Sequence, residues 1–201
     1  MANVIAATKG KTKLFLGIFD INSIQSEVQK ISSATNGNWG LVNTVSVGNE
    51  LVNSGKASAG QVTAAIGSAR SALKAAGYNG PVVTVDTMIA MKNNPTLCTA
   101  SDFCAINCHA FFDGNVLAEG AGDFVKDWAQ QVSKAAGGKP VVVTESGWPT
   151  QGGSNNKAVA SQEAHSAAIS SLKAAFGGGT NLILYGMYNE GWKKDSATTH
   201  G

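Results

Sequence analysis

The chain has 201 residues, of which 43% are hydrophobic and 14% are charged, and its 15 basic and 13 acidic side chains give a formal net charge of +2. A chain of this length is expected to bury roughly 70% of its unfolded surface around one core, which excludes a small cysteine-framework fold. The low charged fraction and the small net charge exclude a disordered tail and argue against nucleic acid as a partner.

No apolar run approaches the roughly 20 residues that a bilayer-spanning helix needs, so the sequence predicts no membrane span. The three cysteines, Cys98, Cys104 and Cys108, match no common spacing of zinc ligands. The glycine run at 177–179 lacks the GxxxxGK[ST] pattern of a phosphate-binding loop. We therefore predict neither a metal nor a cofactor.

Short β-branched runs alternate along the chain with longer stretches of Ala and Ser that have helical periodicity. Residues 3–9 are interpreted as the end of a helix. The six predicted strands are 13–19, 41–47, 81–85, 103–109, 140–145 and 181–188. The predicted helices are 23–34, 58–76, 117–136 and 157–176, with a shorter connection around 92–101. This alternation predicts a parallel α/β fold that forms a single domain over residues 1–201.

Polar side chains are concentrated where the predicted strands end. The set comprises Asp20, Asn49, Glu50, Asp86, His109, Glu145, Tyr188, Asn189 and Glu190. In parallel α/β architectures the functional site lies at the carboxyl ends of the strands. The alternative is that chains simply become polar where they return to water, and for Asp20, Asp86 and Asn189 taken singly this alternative is favoured.

Two glutamates, Glu50 and Glu145, each end an apolar run. Glycosidic bond cleavage uses such a pair, because one carboxylic acid protonates the leaving oxygen while the other carboxylate attacks the anomeric carbon or activates water. Trp148 follows Glu145 by three residues and is predicted to offer a flat apolar face on which a sugar ring stacks.

Residues 141–152 read VVVTESGWPTQG and resemble the signature of glycoside hydrolase family 17, the retaining β-1,3-glucanases of plants and fungi. The segments 14–20 (LFLGIFD), 107–113 (NCHAFFD) and 188–193 (YNEGWK) are similar to its fungal cell-wall branch. The resemblance implies a (β/α)8 TIM barrel in which Glu145 is the nucleophile and Glu50 the acid/base. It also implies a separation of about 5 Å between their carboxyl groups.

The same resemblance assigns roles to further residues. It places Asn49, like Glu50, in the cleft and on the sugar 2-hydroxyl, which requires the second predicted strand to end or bulge there because neighbouring strand residues point to opposite faces. It puts His109 beside the nucleophile, at a position where plant members carry tyrosine. The remaining substrate-binding positions that it implies lie after the last strand: Tyr188, Glu190, Trp192 and Lys193. For the last three, a solvated loop with one packing tryptophan is an equal alternative.

Strand alternation separates the cysteines from the site. If His109 points into the barrel, Cys104 and Cys108 face the helices. We therefore expect buried thiols or one disulfide, without a catalytic role.

Glu50 follows the second predicted strand, whereas the family's acid/base follows the fourth strand of the barrel. We therefore expect six of the eight βα units in this chain, a start within the helix before the third strand, and a signal peptide upstream. Open barrel edges would favour self-association. The resemblance implies endo-β-1,3-glucosidase or β-1,3-glucanosyltransferase activity on β-1,3-glucan in a secreted, cell-wall protein. The alternative is a cell-wall mannoprotein or adhesin that binds glucan without cleaving it.

Overall fold

The computed structural model describes residues 2–177, 179 and 181–188. Within them, six strands form one sheet: β1 (Leu14–Ile18), β2 (Val42–Asn49), β3 (Val82–Thr87), β4 (Cys104–Asn107), β5 (Val141–Ser146) and β6 (Leu182–Leu184). The strands lie in the order of the sequence, and the β1–β2, β2–β3 and β5–β6 pairs are parallel. The predicted parallel α/β alternation is confirmed.

Helices connect the strands. They are α1 (Ala2–Thr8), α2 (Ile24–Thr35), α3 (Ala59–Ala75), α4 (Met88–Asn93), α5 (Pro95–Ala100), α6 (Ala121–Ala135) and α7 (Gln162–Phe176). The predicted helix 117–136 is shorter at its start, because Ala118–Gly120 forms a 3-10 turn. The predicted helix 157–176 begins later, because Ser161 is its N-cap and accepts a hydrogen bond from the N–H of Ala164.

The chain divides into two compact units. Unit 1 comprises residues 1–105 and 135–140, and unit 2 comprises residues 106–134 and 141–201. The prediction of a single domain stays a prediction. Among the described residues, no helix is both long and apolar enough to cross a membrane.

In unit 1, α3 buries the apolar stripe that its periodicity predicts, which includes Val62, Ile66 and Leu73. Ser58 and Gln61 form a reciprocal capping box at its start. The sheet also carries a small buried cluster of Val83, Val85 and Ala105. The strands that carry candidate functional residues in unit 1 are therefore fixed by buried side chains.

The cysteines take both forms that the sequence allowed. Cys98 and Cys104, in unit 1, form a disulfide with their Cα atoms 4.6 Å apart. Cys108, in unit 2, is a free and buried thiol, and burial raises its pKa to about 12. Because thiolates are the reactive form, Cys108 is an inert core residue at neutral pH.

In unit 2, α6 and α7 approach each other closely at Gly122. A Cβ atom on this residue would lie 2.2 Å from the carbonyl oxygen of Ser171. The N–H of Gly122 donates to the Ser171 hydroxyl at 2.9 Å, and that hydroxyl donates to the carbonyl of Glu119 at 2.6 Å. Only glycine fits this contact.

Candidate active site

In unit 1, a β-bulge places Glu50 at the end of β2. Ser46 pairs with Val83 and Asn49 pairs with Val85, so three steps along β2 match two along β3. The extra residue changes which side chains face the same side of the sheet. The expectation that β2 must end or bulge at Asn49 and Glu50 is confirmed; the sugar contact of Asn49 stays a prediction.

The backbone around Glu50 adopts two left-handed conformations. Gly48 has φ +74°, and a Cβ atom there would lie 2.6 Å from Cδ1 of Leu51. Glu50 itself has φ +52°, which L-residues rarely adopt. Its N–H donates to the carbonyl oxygen of Val85 at 3.0 Å. The acid/base candidate therefore departs from the strand at a sharp turn anchored to β3.

Asp86, at the end of β3, differs from its prediction. Taken singly, it was expected to be a solvated strand-end residue, but it is only 2% exposed. Its carboxylate accepts hydrogen bonds from the backbone N–H groups of Val52 at 2.9 Å, Asn53 at 3.3 Å and Thr87 at 2.8 Å. Burial raises the pKa of this carboxyl group, and the three N–H donors oppose that rise. The solvated interpretation is wrong because this carboxylate organises the loop after Glu50.

In unit 2, a second bulge places Glu145. Val143 pairs with Leu182 and Ser146 pairs with Leu184, so again three steps on one strand match two on its neighbour. Thr144 and Glu145 can thus face the same side of the sheet despite being consecutive. The Thr144 hydroxyl donates to Oδ1 of Asn107 at 2.9 Å.

The carboxylate of Glu145 lies beside an aromatic surface. Its Oε2 atom is 3.4 Å from Nε2 of His109, so the predicted proximity of these two side chains is confirmed, while their catalytic roles stay predictions. The His109 ring contacts the rings of Phe112 and Tyr185 edge-on, with each pair of centroids 5.8 Å apart. Phe112 is 67% exposed and Tyr185 is 51% exposed. We call Phe112 and Tyr185 the aromatic rim.

Sequence reasoning missed Phe112 and Tyr185. A sequence signal for Phe112 was available, because residues 111–112 are two consecutive phenylalanines just after a predicted strand. The structure buries Phe111 and exposes Phe112. No pattern in the sequence distinguishes Tyr185 from the other apolar residues of 182–188. The rim is a product of tertiary structure.

Trp148 does not offer the stacking face predicted from the sequence. It is 5% exposed, and its ring packs edge-on against Phe111 at 5.2 Å between centroids. Its indole N–H donates to the carbonyl of Val159 at 2.8 Å. The Nδ1 atom of His165 donates to the carbonyl of Trp148. Trp148 is therefore a packing residue of the segment after Glu145, and the prediction that its ring stacks on a sugar is wrong.

The remaining predicted positions lie at the end of the chain. Tyr188 is exposed. Glu190, Trp192 and Lys193 lie outside the described residues. Within the described part of the chain, no group of three or more His, Cys, Asp or Glu side chains could hold a metal ion. The chemistry that we propose below is carried by carboxylates.

Alternating βα units with carboxylates at the strand ends are typical of glycoside hydrolases of the (β/α) barrel class. The sequence matches the family model of the BtgE/BtgC glycoside hydrolase domain over residues 1–201, and the chain belongs to this family.

Two curated relatives are similar over nearly the whole chain. The cell surface mannoprotein MP65 of Candida albicans is 49% identical over 200 residues, which cover 96% of this chain and 52% of that protein. The probable family 17 glucosidase SCW10 of Saccharomyces cerevisiae is 47% identical over 196 residues, covering 96% of this chain and 50% of that protein. The chain therefore spans about half the length of these relatives.

The fold is similar to that of the glycoside hydrolase family 17 β-1,3-glucanosyltransferase from Rhizomucor miehei, with a TM-score of 0.77 and 22% identity. The match covers 92% of this chain and 69% of that one. An active-site mutant of the same enzyme, in complex with laminaritriose, matches with a TM-score of 0.76 and 23% identity over 90% of this chain and 68% of that one. The predicted fold class, a (β/α)8 barrel of which six strands are present, is confirmed.

Proposed function

We propose that the chain carries the catalytic machinery of a retaining enzyme that acts on β-1,3-glucan by a two-glutamate mechanism. The observation that carries the proposal is the position of Glu145. A bulge at the end of β5 presents its carboxylate beside His109 and next to exposed aromatic rings. An anionic nucleophile next to apolar faces suits a sugar, whose C–H faces stack on aromatic rings while its anomeric carbon is attacked.

In the proposed reaction, Glu145 attacks the anomeric carbon as Glu50 gives its proton to the leaving glycosidic oxygen. A covalent glycosyl-enzyme results, and Glu50, now ionised, removes a proton from the incoming acceptor. If the acceptor is water the outcome is hydrolysis, and if it is a glucan hydroxyl the outcome is transfer. Both outcomes retain the β configuration, because two inversions occur at the same carbon. The expected separation of about 5 Å between the two carboxyl groups is part of this proposal.

His109 and the aromatic rim have distinct proposed roles. His109 orients the carboxylate of Glu145 through the 3.4 Å contact. Phe112 supplies the stacking face that the sequence had assigned to Trp148. Asn49, Tyr188, Glu190, Trp192 and Lys193 remain proposed substrate contacts, on the family resemblance alone.

Covalent trapping tests the nucleophile. A β-1,3-linked glucosyl donor with fluorine at C2 and a dinitrophenolate leaving group should accumulate a glycosyl-enzyme, because fluorine slows its breakdown. Mass spectrometry of the digested protein should find the label on Glu145. Glu145→Gln should abolish labelling and lower turnover of a β-1,3-glucan oligosaccharide by several orders of magnitude. Glu119→Gln, an exposed change of the same kind, is the matched control and should have no effect. Label on another residue, or full turnover by Glu145→Gln, would refute the assignment.

The products distinguish the two outcomes of the reaction. An oligosaccharide of defined length, followed by mass over time, gives products longer than the substrate if transfer occurs, and only shorter ones if water alone is the acceptor.

A second candidate function is a cell-wall protein that binds glucan without turnover, and the name of one relative, a cell surface mannoprotein, favours it. Under this hypothesis the wild type and Glu145→Gln bind the same oligosaccharide equally well and neither cleaves it. Both candidates place the protein in the fungal cell wall, and we propose that location. We also propose self-association through the sheet ends, because β1 and β6 are the outer strands of the order described above.

A further inference from the structure

Unit 1 contains a buried carboxylate that the proposed reaction does not use. Asp86 is 2% exposed, and its three described donors are all backbone N–H groups. A carboxylate is costly to bury even when it is hydrogen-bonded. An apolar residue of similar size would avoid that cost, but it would leave the N–H groups of Val52 and Asn53 without this acceptor.

Those two N–H groups belong to a short turn that begins at Glu50. The carbonyl of Glu50 accepts hydrogen bonds from the N–H of Ser54 at 3.0 Å and from its hydroxyl at 2.6 Å. The first N–H groups of a helix-like turn find no acceptor within the turn. Asp86 supplies that acceptor from the neighbouring strand, in the way that an N-cap side chain does from within a helix.

The turn also stores backbone strain at Glu50. A non-glycine residue in the left-handed region is strained and persists only where its surroundings fix it. The N–H of Glu50 is held by the carbonyl of Val85, and the residues after Glu50 are held by the carboxylate of Asp86. Two consecutive residues at the end of β3 thus fix the chain on both sides of Glu50.

A side-chain contact adds to the same connection. The hydroxyl of Thr87 donates to Oδ1 of Asn53 at 3.1 Å. Three consecutive residues at the end of β3, Val85, Asp86 and Thr87, are therefore hydrogen-bonded to the segment 50–53. The end of β3 therefore acts as a frame for the loop that follows β2.

We infer that Asp86 is a positioning residue for the acid/base: its carboxylate holds the loop at 51–53 so that Glu50 keeps its left-handed backbone and aims its carboxyl group at the leaving oxygen. The inference rests on the proposed role of Glu50. Asp86 does not itself touch substrate. Its loss should impair proton donation more than substrate binding.

The test compares two leaving groups. Asp86→Asn replaces one acceptor oxygen by an NH2 group that opposes a backbone N–H. With a β-1,3-glucan oligosaccharide, whose leaving oxygen needs a proton, kcat/KM should fall by about 10- to 100-fold, chiefly through kcat. With a dinitrophenyl β-glucoside, whose leaving group departs without a proton, kcat/KM should fall by less than about threefold. Asp20→Asn is the matched control, because Asp20 also follows a strand and accepts a backbone N–H, here from Asn22, and its described side-chain hydrogen bonds are to Asn22 and Ser23.

Amide hydrogen exchange provides a measurement independent of turnover. In Asp86→Asn the amides of Val52, Asn53 and Glu50 should exchange at least tenfold faster, while those of α3 should not change. Asp86→Ser, which keeps one small acceptor, should show the same pattern and replaces Asp86→Asn if that variant does not fold.

Equal losses on the two substrates, an unchanged kcat/KM on the glucan, or unchanged exchange at Val52 and Asn53 would each overturn the inference. If the wild type cleaves neither substrate, the proposed function fails. Faster exchange at these three amides would then still support the role of Asp86 in holding the loop, and unchanged exchange would refute it.

Discussion

The sequence predicts that a sugar ring stacks on Trp148, whereas the structure buries Trp148 and leaves Phe112 exposed. We therefore expect Trp148 to stabilise the fold and Phe112 to bind glucan. Trp148 is 5% exposed and hydrogen-bonded through its indole, so Trp148→Ala should lower the free energy of unfolding by about 3–5 kcal/mol. For a chain of this size, each kcal/mol shifts Tm by about 2–4 °C, so Tm should fall by roughly 6–20 °C. Trp148→Phe keeps most of the ring packing and should lower the stability by only about 1–2 kcal/mol.

Phe112 should behave in the opposite way. At 67% exposure its truncation to Ala removes little buried surface, so the stability should change by less than about 1 kcal/mol. The loss of a stacking face should nevertheless weaken glucan binding by about 1–1.5 kcal/mol, or roughly tenfold in Kd.

The assay combines thermal unfolding with calorimetric titration of a β-1,3-glucan oligosaccharide, with every variant carrying Glu145→Gln so that turnover does not interfere. Trp148→Phe should bind with nearly the parental Kd. The reasoning is refuted if Trp148→Phe loses tenfold in affinity at an unchanged Tm, or if Phe112→Ala lowers Tm as strongly as Trp148→Ala does.

Three further predictions concern Gly122, Tyr78 and His109, each argued from the surroundings of the residue in the structure. Gly122→Ala should destabilise the protein by about 2–3 kcal/mol or more, because the added methyl group would lie 2.2 Å from a backbone oxygen of α7. Gly67→Ala, in open space on α3, should instead stabilise it by about 0.5–1 kcal/mol. Urea unfolding of both variants measures the difference, and equal effects would contradict the prediction. Burial raises the pKa of Tyr78 from 10.0 to about 12, so the folded state keeps a proton that the unfolded state loses first, and stability should fall by about 1–2 kcal/mol as the pH rises from 10 to 12. This decline should be absent in Tyr78→Phe, and its persistence there would show that another group causes it. His109→Ala should lower kcat/KM on the glucan about tenfold with little change in Tm, and His109→Gln should restore part of the loss by again placing a donor near Glu145; a large fall in Tm without an effect on kcat/KM would instead make His109 structural.

The sequence was sufficient for the elements because each is encoded locally. The stripe of α3 and its capping box are encoded within that one helix, and the alternation of strand and helix follows from short-range periodicity. Two helix starts were predicted too early: that of α6 because Ala118–Gly120 forms a 3-10 turn, and that of α7 because Ser161 is its N-cap. The identities of Glu50 and Glu145 were predictable because both lie in recognisable local motifs.

What could not be predicted depends on contacts between segments far apart in sequence. Burial of the Trp148 ring depends on Phe111, and the acceptor of its indole N–H is the carbonyl of Val159, so nothing within 148–152 indicates that the ring is covered. The burial of Asp86 was likewise not predictable from its local sequence. A single acidic residue at a strand end is usually solvated, and its burial is visible only once the loop after β2 lies across it.

Both candidate catalytic glutamates lie at a β-bulge, Glu50 at the end of β2 and Glu145 at the end of β5. Regular alternation would place Asn49 and Glu50 on opposite faces of the sheet, and Thr144 and Glu145 likewise. In both strands the register gains one residue at that point, which allows consecutive side chains to face the same way. The sequence required such an irregularity at β2 once both residues were assigned to the cleft, but it gave no reason to expect one at β5. Because a bulge leaves the ladder locally weaker, each glutamate depends on contacts from a neighbouring strand: Val85 and Asp86 for Glu50, and His109 for Glu145. Substitutions at these supporting positions should therefore affect catalysis more than their distance from the reacting bond suggests.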